Sequence, residues 1–112
     1  MTLVDAIVVL CAAPRDFDAE GLASRLVRDQ LAACVQIGAP VTSVYQWEGT
    51  IERSDEQLLW IKTRRHLFSR VESAIKAVHP YEVPEIIALD VLQGHAPYLA
   101  WIGESVQAEK AG

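Results

Sequence analysis

The sequence predicts an α+β fold of the ferredoxin-like type, a split βαβ arrangement in which two helices cover one face of an antiparallel sheet. Three observations favour it. Apolar patterns follow one another in the order strand, helix, strand, strand, helix, strand. A Glu48–Gly49 turn joins the two middle strands, and a short apolar helix ends the pattern. The 112 residues fit one domain, taken as residues 1–112.

The first strand and the first helix are predicted from periodicity. Residues 3–12 are apolar and rich in β-branched side chains, and Pro14 ends the run. From residue 16 to about residue 31, apolar side chains recur at helical spacing. Either Asp16 or Asp18 can cap this helix, because a carboxylate there accepts a bond from a free N–H of the first turn.

A hairpin is predicted next. The segment "AACVQIGAPVTSVYQW" is strand-like, but Gly38 and Pro40 interrupt it, which indicates a bend or a bulge. After the turn at Glu48 and Gly49, the segment "TIERSDEQLLWIKTR" returns as a long strand.

The second half of the chain predicts a helix, a strand and a short helix. Residues 66–78 carry one apolar stripe, and Pro80 ends the helix because it lacks a backbone N–H. The segment "EIIALDVLQ" is the last strand. The terminal helix in "PYLAWIGESV" has Pro97 in its first turn, where proline is tolerated.

The predicted strands are apolar on both faces. Successive side chains of a strand point to opposite faces of the sheet. In "AIVVLC", "LLWI" and "IIALDVL", the side chains on both faces are mostly apolar. Two helices cover only one face of such a sheet, so the second face requires another chain. Oligomerisation is expected from this pattern alone.

Charge and composition exclude several classes of partner. The chain has 15 acidic and 10 basic residues and a formal charge of −5, which disfavours nucleic acid and anionic membranes. No apolar stretch approaches the roughly 20 residues of a membrane span. The start of the chain lacks the pattern of an export signal, so a cytoplasmic location is expected. Cys11 and Cys34 are expected to stay reduced and unpaired.

His79 lies in "HPYEVPE", where a helix stops and a strand starts. Two prolines stiffen this loop, and rigid loops that carry His, Tyr and Glu are typical of binding sites. The alternative is that His79 caps the helix and Tyr81 only fills the core. The sequence shows no hydrolase triad, Walker motif or GxGxxG loop, which favours a binding protein over an enzyme. An enzyme using Lys62 and His79 as base and acid is the weakest hypothesis.

Lys62 follows a run of apolar residues on the long strand. If it faces the covered side of the sheet, its ammonium needs a carboxylate, for which Glu85 and Glu48 are the first candidates and Asp90 another. The alternative is a lysine at a strand end in water. Cys34 can equally be a small buried apolar residue, and Trp101 an anchor of the core or of an interface.

Five segments together resemble the CutA family of divalent-cation tolerance proteins. They are "LAACV", "TSVYQWEG", "LLWIKTR", "HPYEVPEIIAL" and "YLAWI", in the family's order over about residues 8–102. The resemblance implies a homotrimer similar in architecture to PII signalling proteins, with clefts between the subunits. It makes "HPYEVPE" the rim of such a cleft. The residues we assign to these clefts are Cys34, Glu48, Lys62, Tyr81, Glu85 and Trp101.

The resemblance also implies metal binding. In family members credited with copper binding, the ligands are a Cys in "LCxAP" and a His before "PY", which are Cys11 and His79 here. Such members can carry two adjacent histidines, whereas this chain has Val78 at the first position. Weak copper binding is therefore expected, within a role in metal homeostasis. The alternative is a PII-like sensor that binds a small metabolite in the subunit clefts.

Overall fold

A computed structural model describes residues 5–109 of the chain. These residues form an antiparallel sheet with two helices against one face, a third helix near the end of the chain, and a short 3-10 turn before the second helix. The elements are β1 (Ala6–Pro14), α1 (Ala19–Arg28), β2 (Cys34–Ile37), β3 (Val41–Trp47), β4 (Thr50–Arg64), α2 (Phe68–Lys76), β5 (Ile86–Asp90) and α3 (Ala96–Ser105). The predicted α+β fold is confirmed. The first residues of the strand predicted over 3–12 lie outside the described range.

The sheet has the strand order β2, β4, β1, β5, and β3 also pairs with β4. The segment predicted as one interrupted strand is therefore two strands that use the same partner. β2 pairs with residues 59–62 of β4, and β3 pairs with residues 50–56. Residues 38–40 lie between them, and the Gly38 N–H donates to the Leu58 carbonyl at 2.8 Å. The bend predicted from Gly38 and Pro40 is confirmed, and the long β4 spans both halves.

The turn between β3 and β4 has two central residues with left-handed backbone. Glu48 has φ 50° and Gly49 φ 81°. Positive φ at both positions matches the twist of the flanking strands in a two-residue hairpin. Glycine at the second position takes this conformation without steric cost.

Helix α1 is shorter than predicted. It starts after Asp18, whose carboxylate accepts a bond from the Gly21 N–H at 3.0 Å, so Asp18 is the cap among the two candidates. It ends at Arg28, because Gln30 has a left-handed φ of 57°. The next two N–H groups bond to the Leu26 carbonyl, which closes the helix.

The covered face of the sheet holds the core. Side chains of β1 and β4 on this face pack under α1 and α2 with almost no exposed surface. They are Ile7, Val9, Cys11, Leu59 and Ile61, opposite Leu22, Leu26, Val71 and Ile75. Cys11 is on this side, whereas Cys34 is paired with Lys62 on the other side. Both thiols are free, and the sheet itself lies between them.

The opposite side, which we call the open face, is also apolar. Pairing places Val8, Leu10, Leu58, Trp60, Ile87 and Leu89 together on it. Trp60 is 38% exposed, Ile87 47% and Leu89 46%, although all three lie in the middle of paired strands. The prediction that the strands are apolar on both faces is confirmed. Large exposed apolar patches of this kind mark interaction surfaces.

Candidate functional site

The "HPYEVPE" loop connects α2 to β5 and is held against the end of β1 by His79. The imidazole is 8% exposed and stacks on Phe17 with the ring centroids 5.8 Å apart. The Tyr81 N–H donates to Nδ1 at 3.1 Å, so Nδ1 is an acceptor. Nε2 lies 2.7 Å from the Ala12 carbonyl oxygen and therefore donates its proton there. His79 is thus a neutral imidazole with both nitrogens engaged.

Cys11 lies beside the same carbonyl group. Its sulfur is 3.8 Å from the Ala12 oxygen, so the thiol and the imidazole flank one oxygen atom. The thiol is completely buried, and this burial, followed by the negative charges of Glu85 and Glu56, raises its pKa to about 12. Since thiolate is the metal-binding form, the site disfavours ligation by Cys11.

Thiolate and imidazole, the donor groups of Cys11 and His79, suit copper, but both side chains already make hydrogen bonds within the protein. An imidazole nitrogen binds a metal through a free lone pair, and the lone pair of Nδ1 already accepts the Tyr81 N–H. Across residues 5–109, no group of three or more His, Cys, Asp or Glu side chains is placed to hold a metal ion. Copper binding at His79 therefore requires the ring to exchange one of its hydrogen bonds.

Tyr81 joins the loop to β4 through Glu56, a residue that the sequence analysis missed. The phenol donates to Oε2 of Glu56 at 3.1 Å, and Glu56 is only 6% exposed. Desolvation, and then the hydrogen bond to this carboxylate, raise the pKa of Tyr81 to about 12. No signal marked it, because Glu56 is the last charged residue of the polar run "ERSDEQ" that precedes Leu58 and Trp60 on β4.

A cleft of about 520 Å³ opens between this loop and the β3–β4 hairpin. We call it the acidic cleft. Glu52 and Glu56 of β4 and Glu82 and Glu85 of the loop contribute carboxylates to its lining. The side chains of Tyr45, Trp47 and Tyr81 are aromatic parts of the same lining. Two of the predicted cleft residues, Tyr81 and Glu85, are therefore brought together within a single chain.

Lys62 lies elsewhere, near the other end of β4. Its ammonium donates to the Tyr98 hydroxyl at 3.1 Å and lies 5.3 Å from the centre of that ring. Trp101 packs beside Tyr98 with the ring centroids 5.6 Å apart, and Cys34 is the cross-strand neighbour of Lys62. Of the predicted cleft residues, Cys34, Lys62 and Trp101 thus form a second group.

The carboxylate expected next to Lys62 is not found within residues 5–109. Within this range the Lys62 ammonium contacts the phenol of Tyr98 on α3. The sequence pattern of β4 did not predict this contact. Glu48 is on the hairpin turn, 14 positions along the chain, and Glu85 lines the acidic cleft. A strand rises roughly 3.3 Å per residue, so Glu48 of the same chain is out of reach. A carboxylate from a neighbouring subunit stays a prediction.

The geometry defines a class: an α+β sandwich with one uncovered apolar sheet face and a rigid loop beside an acidic cleft. Comparison with known proteins gives the family. Residues 7–105 match the model of the CutA1 divalent ion tolerance protein. The chain therefore belongs to the CutA1 divalent ion tolerance family, which confirms the resemblance seen in the sequence.

Individual relatives agree with this assignment. The divalent-cation tolerance protein CutA of Thermus thermophilus is 43% identical over 98 residues, which are 88% of this chain and 95% of the relative. Rice Protein CutA 1, named as chloroplastic, is 41% identical over 106 residues. That match covers 95% of this chain but 60% of the rice protein, so the chain spans less than two thirds of that relative's length.

Solved structures share the fold. The crystal structure of CutA1 from Oryza sativa superposes with a TM-score of 0.91 at 39% identity, covering 97% of this chain and 100% of that chain. The structure of the periplasmic divalent cation tolerance protein CutA from Archaeoglobus fulgidus has a TM-score of 0.86 at 38% identity, covering 91% of this chain and 99% of that chain. Since the relatives' names include chloroplastic and periplasmic proteins, a cytoplasmic location stays a prediction. Within residues 5–109, no helix is long and apolar enough to cross a membrane.

The bond between Tyr81 and Glu56 can be tested by Tyr81→Phe. We expect the free energy of unfolding to fall by about 1–3 kcal/mol, because the buried carboxylate loses its donor. The matched control is Tyr45→Phe. The Tyr45 hydroxyl makes a solvent-exposed bond of 2.8 Å with the Ser54 hydroxyl, and its loss should cost about 0.5 kcal/mol or less.

Both variants are compared with the unchanged protein in urea at one protein concentration. Ultraviolet titration gives a second measurement, because the phenol that ionises near pH 12 should vanish in Tyr81→Phe and remain in Tyr45→Phe. Equal losses of stability in the two variants would contradict this account.

Proposed function

We propose that the protein acts in divalent-cation tolerance as a homotrimer whose subunits pack through the open face. The observation that carries the assembly is the apolar surface of Leu10, Trp60, Ile87 and Leu89 in the middle of the sheet. Exposing such surface to water costs about 25 cal/mol per Å², and burying it against another copy recovers that free energy. The number three comes from the family resemblance, since a sheet face by itself fixes no stoichiometry.

The assembly also accounts for the position of Lys62. Lys62 and Cys34 lie at one end of the open face, next to Tyr98 and Trp101 of α3. Packing of a second copy against this face removes water from the Lys62 ammonium. A carboxylate of the neighbouring subunit then compensates the lost hydration, with Glu48 on the projecting hairpin as the first candidate.

Sedimentation equilibrium tests the assembly. We expect the mass of three chains at micromolar concentration, with no stable monomer on dilution until the chain unfolds, because subunit packing and folding share the same apolar surface. A folded monomer or dimer over this range would contradict the proposal.

The metal part of the proposal concerns copper held by His79 with help from Cys11. The two donors flank the Ala12 carbonyl, and imidazole and thiolate are ligands that copper prefers over oxygen donors. Binding is weak for three reasons visible in the chain. The buried Cys11 thiol, whose pKa burial raises to about 12, has to lose its proton before it can help as a ligand. The His79 ring has to give up a buried hydrogen bond, which costs about 1–3 kcal/mol, and Val78 supplies no second imidazole.

The copper ligand can be identified with His79→Gln, in which an amide N–H replaces the donor to the Ala12 carbonyl but the imidazole is lost. We expect copper affinity, measured by competition with a chelator of known affinity, to fall about tenfold or more. His66→Ala and His95→Ala are the controls and should bind copper like the unchanged protein. Unchanged copper affinity in His79→Gln would show that His79 only fixes the loop.

A further inference from the structure

Gln57 is a polar side chain on the covered face of the sheet, opposite Ala13 where β1 ends. Its amide nitrogen Nε2 donates to the Pro14 carbonyl at 2.9 Å and to the Phe17 carbonyl at 2.8 Å, and the Arg15 carbonyl oxygen is 3.4 Å away. The Phe17 N–H donates to the same Pro14 oxygen at 3.0 Å. One side chain of β4 thus binds both ends of the turn between β1 and α1, and this fixes the position of Phe17.

Phe17 in turn packs on the imidazole of His79. The two rings stack with their centroids 5.8 Å apart and an angle of 28° between their planes. The ring of Tyr81 is a second aromatic neighbour at 4.9 Å, but it belongs to the same loop as His79. Aromatic pairs of this kind contribute free energy beyond the area that they bury. Phe17 therefore holds the imidazole from outside the loop.

A groove of about 340 Å³ on the helix side of the sheet leads to Phe17. Its lining residues come from the start of α1 and from the end of the α2 segment, and they are Phe17, Asp18, Gly21, Leu22, Arg25 and Val78. His79 touches Phe17 but is not part of this lining, so the phenyl ring separates the groove from the imidazole. This side of the sheet is opposite the open face.

The stack on Phe17 matters for metal binding because both nitrogens of His79 already make hydrogen bonds. Copper binds an imidazole through a free lone pair in the plane of the ring. The ring has to turn to free either nitrogen, and this turn also breaks the stack with Phe17. The stack therefore favours the metal-free position of the ring.

We propose that Gln57 is a positioning residue of His79. Through Phe17, it holds the imidazole in its hydrogen-bonded position and so opposes the turn that copper binding requires. The effect of Gln57 on copper affinity rests on the proposed function, whereas its effect on the position of the ring does not. The alternative is that Gln57 only satisfies the carbonyl groups of the turn, in which case its loss lowers the stability of the whole chain and has no particular effect at His79.

Amide hydrogen exchange, measured by NMR, follows the position of the ring directly because the Tyr81 N–H donates to Nδ1 of His79. The reference amide is that of Ala33, which donates to the Lys62 carbonyl at 2.8 Å, away from the loop. Exchange of the Tyr81 amide relative to that of Ala33 separates a local release of the ring from a general loss of stability.

Three variants and one control are compared. Gln57→Met keeps the length of the side chain without its donors, and Phe17→Leu keeps an apolar side chain without the ring. The third variant combines both changes. Arg15→Gln is the matched control, because the Arg15 side chain joins the same turn to β4 through a solvent-exposed ion pair with Asp55 at 3.9 Å.

We expect relative exchange of the Tyr81 amide to be about threefold to tenfold faster in Gln57→Met and in Phe17→Leu, the factor that corresponds to one lost aromatic contact. The double variant should match Phe17→Leu, because Gln57 acts through that ring. Copper affinity, measured by competition with a chelator, should rise by a similar factor in these variants. Arg15→Gln should change neither quantity.

Three results of the exchange measurement would overturn the proposal. The first is equal Tyr81 exchange in the unchanged protein and in Gln57→Met. The second is equal acceleration of the Tyr81 and Ala33 amides. The third is an effect of Gln57→Met that adds in full to that of Phe17→Leu. If Gln57→Met fails to fold, Gln57→Ala takes its place, because the smaller side chain adds no apolar bulk to the turn.

The copper measurement separates failure here from failure of the proposed function. Unchanged copper affinity in His79→Gln counts against the proposed function, and exchange of the Tyr81 amide then decides the role of Gln57 by itself. If copper affinity falls in His79→Gln but is the same in the unchanged protein, Gln57→Met and Phe17→Leu, the stack does not oppose metal binding and the proposal is wrong.

Discussion

The alternation of side chains along β4 is the constraint on which the other features depend. This strand pairs with β1, β2 and β3, so its 15 residues fix which side chains of the whole sheet share a face. Gln57, Leu59, Ile61 and Thr63 point into the core under the helices, and Glu56, Leu58, Trp60 and Lys62 point to the open face. A shift of the register by one residue would exchange the two sets, burying Glu56 and Lys62 in the core.

The same strand separates two chemical environments on the open face. Toward the hairpin, Glu56 and Glu52 give the acidic cleft, and Tyr81 closes it from the loop. Toward the other end, Trp60 continues the apolar surface up to Lys62, whose ammonium donates a hydrogen bond to the Tyr98 hydroxyl. The "HPYEVPE" loop keeps its shape because His79 bonds on both sides of its ring and packs on Phe17. The two ends of this one surface thus differ in polarity, acidic beside the hairpin and apolar toward Lys62.

Sequence patterns predicted the elements and their order because strands and helices have different periods, and Gly and Pro mark the breaks. The apolar open face was visible for the same reason. The hydrogen-bond partners of individual polar side chains could not be predicted from these patterns. Tyr98 is 36 positions from Lys62, and Glu56 is 25 from Tyr81, so only the folded chain brings these pairs together. Likewise, no sequence pattern predicts that both ring nitrogens of His79 make hydrogen bonds.

Paired lysine substitutions test most directly whether the open face is a subunit interface. Ile87 on that face and Val27 on α1 are 47% and 43% exposed in one chain, so the folded monomer tolerates a lysine about equally at either site. The mass and the melting temperature are measured for Ile87→Lys and Val27→Lys. Our account predicts a dissociated or strongly destabilised protein for Ile87→Lys and an unchanged trimer for Val27→Lys. An unchanged trimer in both would contradict it.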